Sequence, residues 1–188
     1  TAVLPVMHNP TPGNVGLLMR LWSVVLAGNL IGTAVAAWAF NYMPIFDEPT
    51  RQAFVSIAED VMKNSPTEMF ANAIISGWLV ATMVWMFPVA GAAKIVVIIL
   101  MTWLIALADT THIVVGSVEI LYLVFNGNLP WSDFIWPFAL PTLAGNICGG
   151  TFIFALLSHA QIRNDMSSKR KAEARAQAAE KGKKADRA

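Results

Sequence analysis

Apolar residues gather into four long stretches along this chain, and charged residues lie between them. Leu21 to Phe40 runs 20 residues without a charge, and Met69 to Ala93 and Phe134 to Ser158 run 25 each. Each is long enough to cross a hydrocarbon layer of about 30 Å as a helix. The fourth stretch, Ile95 to Phe125, has 31 residues and carries Asp109, Thr110, Thr111, His112 and Glu119 near its middle. A straight helix of that length would reach roughly 46 Å. A span that is too long and polar at its midpoint reads as a broken or strongly tilted helix whose middle faces protein or water.

The segments between the spans carry their own signals. In the 41–68 connection, Phe54, Ile57, Ala58, Val61 and Met62 recur at helical spacing among Arg51, Glu59, Asp60 and Lys63. That pattern predicts a short amphipathic helix at the membrane surface. Ser65-Pro66-Thr67-Glu68 reads as a capping box with proline at the first helical position, starting the next span. Trp131 and Trp136 stand where an interfacial belt is expected. Thr1 to Met7 is apolar, too short to span, and lacks the charged flank of a signal peptide. It reads as the end of a membrane segment, and the chain is expected to be a fragment.

Composition agrees with the pattern. Hydrophobic residues make up 56% of the 188 and charged residues 13%, about half the charged share of an ordinary soluble domain. So small a polar complement cannot clothe a soluble fold, and a single cysteine, Cys148, excludes a disulfide scaffold. The net charge of +1 hides an asymmetry: residues 1–162 carry 4 basic and 8 acidic residues, and the tail 163–188 carries 9 basic and 4 acidic. Positive charge stays on the cytoplasmic side, so the tail is expected to be cytoplasmic; this puts 11 basic residues inside and 2, Arg51 and Lys63, outside. The organisation that follows is a membrane domain, 1–162, and a basic tail, 163–188, either a polar helix or disordered. The body offers nothing to attract nucleic acid.

A heptapeptide recurs in the first and last spans. Leu26-Ala27-Gly28-Asn29-Leu30-Ile31-Gly32 returns as Leu143-Ala144-Gly145-Asn146-Ile147-Cys148-Gly149, with five of seven positions identical. The two copies lie in spans running in opposite senses, as in inverted-repeat transporters and channels. The glycines Gly28, Gly32, Gly145 and Gly149 also read as small faces for close helix packing. The shared Leu-Ala and Asn go beyond what packing alone asks.

His112 is the centre of the candidate chemistry. Thr102, Ile105, Asp109, His112, Gly116 and Glu119 follow spacings of three and four and share a face wherever the segment is helical. An ionisable residue in mid-membrane is costly unless it faces a cavity or a partner. The structural alternative is a His112–Asp109 pair, or bonds to threonine hydroxyls, pinning two helices. Histidine switches charge near neutrality and suits a proton-linked step. His8 and His159 read as interfacial residues. Three scattered histidines and one cysteine give no metal spacing, and neither a phosphate loop nor a nucleophile motif occurs. No cofactor is expected.

Together, Trp22 with Gly28-Asn29-Leu30-Ile31-Gly32, the interrupted span with His112, and Pro141-Thr142-Leu143-Ala144-Gly145-Asn146-Ile147-Cys148-Gly149-Gly150 resemble the formate/nitrite transporter family, over about residues 1–165. The resemblance is to a bacterial inner-membrane branch. It implies an all-α polytopic bundle: six spans in an aquaporin-like inverted repeat with broken pore helices, assembled as a homopentamer with one pore per subunit. By that likeness this chain runs from the second half of span 2 through span 6. The implied partners are the lipid bilayer, small monovalent anions such as formate and nitrite, and protons. His112 then matches the central pore histidine and Ile105 an apolar constriction, with Asp109, Thr110, Thr111 and Gly116 beside them. Thr111 stands where relatives have an acid and Gly116 where they often have asparagine. Lys63 is a candidate for the vestibule lysine, with spacing from Phe70 about two residues longer. Gly28, Asn29, Gly32, Gly145, Asn146, Gly149 and Gly150 are expected to pack helices. Two other classes stay open: a membrane enzyme using Asp109, His112 and Glu119, and a non-conducting scaffold whose basic tail binds lipid or a partner.

Overall fold

The computed structural model describes Val3, Val6 and residues 9–154; His8, His159, most of 1–7 and the basic tail lie outside them. The described residues form helices and turns. Helix α1, Pro12–Tyr42, starts where the Thr11 side chain accepts a hydrogen bond from the Asn14 amide and Pro12 opens the first turn. At its other end Arg51 does the capping. Its guanidinium donates to the carbonyls of Asn41 and Met43, each at 3.0 Å, and of Phe46 at 3.4 Å. These are among the last carbonyls of α1 and the turn beyond it, which have no partner within a helix.

Helix α2, Glu48–Met62, is the amphipathic helix expected in the connection. Its inward face is Phe54, Val55, Ala58, Val61 and Met62. Ile57, expected among them, is exposed, because α1 and α5 approach α2 from the side that Val55 faces. Helix α3, Pro66–Ala90, opens with the full capping box: Ser65 and Glu68 each bond the other's backbone amide. It ends past Pro88 at Gly91, whose φ of +50° turns the chain through Gly91–Ala93 into α4, Lys94–Leu107. Residues 108–112 leave the helix, and α5 follows at Ile113–Phe125. The long apolar stretch is thus broken at its polar midpoint, as its length requires.

The last helical run, 131–153, is called α6. It was expected to be one span over 134–158, and within the described residues it is not a regular α-helix. Trp136 is extended (φ −136°, ψ 123°) just before Pro137, which lacks an amide and cannot continue the ladder. Wider turns cover Phe134–Ala139 and Cys148–Ile153, and a regular α-helical piece lies between them at Leu140–Ile147.

Helix α5 sits at the centre, with buried residues on every side, as a helix apolar all round should. It packs on α1, α2 and α6. Ile113, Ile120 and Leu123 join Ala58, Met69 and Phe138 in one cluster; Leu121 and Tyr122 join Ala37 in another. Phe40, Phe46, Phe54 and Tyr122 form a chain of rings with centroids 5.0 to 6.0 Å apart. The outer helices show the reverse. Leu17, Val24, Ile31 and Val35 on α1, and Ile95, Val96, Ile99, Trp103 and Leu107 on α4, stand exposed. Pro12–Tyr42 and the run Pro66–Leu107 are long and apolar enough to cross a membrane, with only 11% and 6% of their most apolar windows buried. A soluble protein's core helices would be mostly buried; these present their apolar surface outward, as lipid favours.

Helices α3 and α6 meet almost backbone to backbone. A Cβ on Gly77 would stand 2.7 Å from Asn146 Cα, one on Gly145 2.7 Å from Ala73 Cβ, and one on Gly149 3.0 Å from Ile74 Cα. A Cβ on Gly150 would stand 3.1 Å from the Gly77 carbonyl oxygen. The packing expected of Gly145, Gly149 and Gly150 is therefore present. That expected of Gly28 and Gly32 is not made among the described residues: a Cβ on either would meet nothing within 4 Å.

Two outcomes follow. Gly149→Leu forces α3 and α6 apart and should cost about 3 kcal/mol, the upper end of ordinary overpacking, read as a lower thermal midpoint in detergent. Hydrogen bonding from Thr50, by its side chain first and then by its amide at 3.2 Å, holds the Asp47 carboxylate below its ordinary pKa of 3.8. Its stabilisation of α2 is thus present above that value and lost as pH falls through the lowered folded pKa. Asp47→Ala should speed exchange of the Thr50 amide at neutral pH, and the gap to wild type should close in acid.

Candidate functional site

The break between α4 and α5 sets the site. Helix α4 closes on itself: the Thr110 hydroxyl and amide both donate to the Ile105 carbonyl, at 3.0 and 3.2 Å, and the Ala108 amide donates to Leu104. Asp109 takes φ +48°, a left-handed conformation that aspartate tolerates better than most side chains. His112 is extended and precedes the first turn of α5, where its carbonyl accepts the Gly116 amide at 2.8 Å.

A broken helix in a membrane exposes amides and carbonyls that lipid cannot satisfy. Asn146 of α6 satisfies several at once. Its Oδ1 accepts the Ile113 amide, the first of α5, at 2.9 Å, and its Nδ2 donates to the Ala73 carbonyl at 2.8 Å and to Ser76 Oγ at 3.0 Å. Ser76 in turn donates to the Thr111 carbonyl, and the Thr111 hydroxyl donates to the Met69 carbonyl at 3.4 Å. One carboxamide therefore joins α3, the break, α5 and α6.

This arrangement sorts the expected site residues. Thr111 is buried and tethers the break to α3, and Thr110 is spent on the end of α4. Gly116 lies under the Phe138 ring, whose carbons stand 2.8 Å from where its Cβ would be, so it is a packing position. Ile105 is buried, Asp109 exposed, and Glu119 half-buried on α5. The His112–Asp109 pair, the structural alternative, is not formed: among the described residues no hydrogen bond or ion pair joins Asp109, His112 and Glu119. Lys63 is fully exposed and pairs with Asp60, which raises its pKa and occupies its charge. His112 Nδ1 is different from its neighbours: it is buried and has no hydrogen-bond partner among the described residues. A separate cleft of about 390 Å³ lies beside α2, lined by Glu48, Arg51, Gln52, Val55, Tyr122, Asn126 and Asn128. It does not reach the break, and the Arg51 guanidinium beside it is bound to carbonyls. Ser76, Met69 and Gly77 were not expected at the site. The only signal for them was a pair of small residues in α3, which names no partner.

Outward-facing apolar helices around an interrupted helix, whose polar break is fastened from within, define an all-helical membrane protein. Residues 1–160 match the formate/nitrite transporter family, and the chain belongs to that family. It is therefore related to transporters rather than enzymes. It is 84% identical over 178 residues to "Inner membrane protein YfdC" of Escherichia coli (strain K12), a match covering 95% of this chain and 57% of that protein. The chain thus spans little more than half the length of that relative. No solved structure gives a significant match.

Removing Asn146 tests the fastening. Asn146→Leu leaves the Ile113 amide and the Ala73 carbonyl without this partner and should cost about 3 kcal/mol, at about 1–3 kcal/mol per orphaned buried group. Ser76→Ala should cost about 2 kcal/mol, since it removes both the bond donated to the Thr111 carbonyl and the bond accepted from Asn146 Nδ2. Thermal midpoints in detergent, with mutant and wild type side by side, give the comparison.

Proposed function

We propose that the protein to which this chain belongs passes small monovalent anions of weak acids, formate and nitrite among them, along a path by His112. The observation that carries the reading is the unspent Nδ1 of His112. The threonines beside it are committed to backbone carbonyls, while this buried ring nitrogen keeps an unused bonding site at the break of a membrane helix. The first amides of α5 add a positive dipole end at the same level.

The chemistry follows from solvation. An anion near the break is attracted by the α5 terminus and by the imidazole, most strongly when the ring is protonated. Ile105 then presents an apolar constriction, and a bare anion there would lose its hydration. Sharing or taking a proton as it passes removes that cost. A weak acid can do this, which is why the reading favours formate- and nitrite-like substrates and a pH-dependent flux. Family membership supports the substrate class. The repeated Leu-Ala-Gly-Asn segments support an inverted repeat, and the basic tail supports a cytoplasmic C-terminus and an inner-membrane location. We read the assembly as a homopentamer, by the family resemblance.

The test is flux into proteoliposomes holding the full-length protein, wild type beside His112→Ala. Formate, nitrite, acetate and hydrosulfide are offered across a pH step. Wild type should carry at least one of them well above empty vesicles and faster on the acid side. His112→Ala should change the rate about tenfold, the scale of one charge-assisted hydrogen bond of about 1.5 kcal/mol, and flatten the pH dependence. Folded wild-type protein that carries none of the four would overturn the reading in favour of a scaffold.

A further inference from the structure

Helix α5 carries one charged residue, Glu119, and is buried over most of its surface. Its open side is marked by Val115, 55% exposed, and by Glu119, half-buried one turn later. His112 stands at the foot of that side. Its carbonyl accepts the Gly116 amide, so position 112 is in register with the helix, and two turns on brings Glu119 onto the same face. The Thr111 and Ile113 side chains both turn toward Met69. Side chains alternate along extended backbone, so the His112 ring between them leaves on the opposite side. The Glu119 carboxyl leans back toward the break: Oε2 lies 3.8 Å from where a Cβ on Gly116 would stand. Among the described residues it has no hydrogen bond and no ion pair. The charged group that acts on it is a second acid, Asp109, across the break. On the helices packed against α5, Arg51 is bound to carbonyls, Asp60 to Lys63 and Asp133 to Ser132, while Arg20, Glu48 and Glu59 are exposed.

We propose that Glu119 is a specificity-determining residue, a charge filter in series with His112 for small monovalent anions. As a carboxylate it repels an anion on the approach to the ring. With a proton taken from water on its own side of the break it is neutral, donates a hydrogen bond to the anion, and lets it move on to His112. The proton stays on Glu119 throughout. Two helical turns separate the groups by roughly 10 Å, and Val115 and Gly116 between them carry no charge that would hold the ion. Acid then acts twice in the same sense: it removes a repulsion at Glu119 and adds an attraction at His112. The filter rests on the transport reading above and adds a residue and a charge rule to it.

The experiment uses the full-length protein in proteoliposomes, with formate as the probe, over a series of pH values. Glu119→Gln keeps the shape and removes the charge. It should raise formate flux about tenfold at neutral pH, the effect of one like charge roughly 10 Å away at an effective dielectric of about 20. The gap to wild type should close in acid. Glu119→Asp retains a titrating carboxyl and should keep the wild-type acid dependence. A merely structural Glu119 would change flux by one factor at every pH, or lower the thermal midpoint of Glu119→Gln with the pH profile unmoved; either result overturns the proposal. A second readout needs no flux. Infrared difference spectra of the protein in detergent, with and without formate, should show a protonated-carboxyl band that Glu119→Gln removes. Absence of that band sinks the filter even where flux is normal. The band without wild-type flux would sink the transport reading alone and leave Glu119 as an anion-binding acid.

Discussion

The structure depends on satisfying a helix that stops in the middle of an apolar layer. Breaking α4–α5 at 108–112 frees amides and carbonyls that lipid cannot accept, and the rest of the fold answers that demand. Asn146 takes the Ile113 amide and holds α3 through Ala73 and Ser76. It can reach both only because Gly77, Gly145 and Gly149 let α3 and α6 touch backbone to backbone. The glycine contact and the carboxamide are therefore one device: the first brings the backbones within range, and the second uses that range to tie off the break.

This device explains why the hydroxyls at the break are committed while the His112 Nδ1 is left unspent. Thr110, Thr111 and Ser76 all turn to backbone carbonyls, which are nearer and more costly to leave bare than any solute. The His112 ring cannot fold back in the same way. Its residue is extended at the start of α5, and its Nδ1 finds no carbonyl among the described residues. A family resemblance could name the histidine, and the geometry shows what separates it from its neighbours.

Much of the fold was legible in the sequence wherever the cause is local. The Ser65–Glu68 box, the amphipathic α2 and the break at the polar midpoint each rest on residues within a few positions of one another, and each is present. What the sequence hid depends on distant partners. Gly116 read as a pore position, but Phe138 of α6 covers it. Thr111 read as a pore hydroxyl, but the Met69 carbonyl, 42 residues away in sequence, accepts its hydrogen bond. Asn146 read as packing, and only the approach of α3 and α5 reveals that it bonds both. The irregularity of α6 had a local sign in Pro137, but the extended Trp136 before it did not follow from hydrophobic length.

Arg51 was one of two basic residues assigned to the outer face, and it ends up embracing the end of α1. Lys63, the other, leans on Asp60. Asp47, Glu48, Glu59 and Glu68 remain around them on exposed ground. Among the described residues, ions thus meet a surface whose cations, Arg51 and Lys63, are already engaged and whose remaining field is negative. Such a surface slows the arrival of anions at low ionic strength and relaxes its resistance as salt shortens the screening length to about 10 Å at 0.1 M. A negatively charged solute therefore meets repulsion at this surface before it reaches the apolar layer.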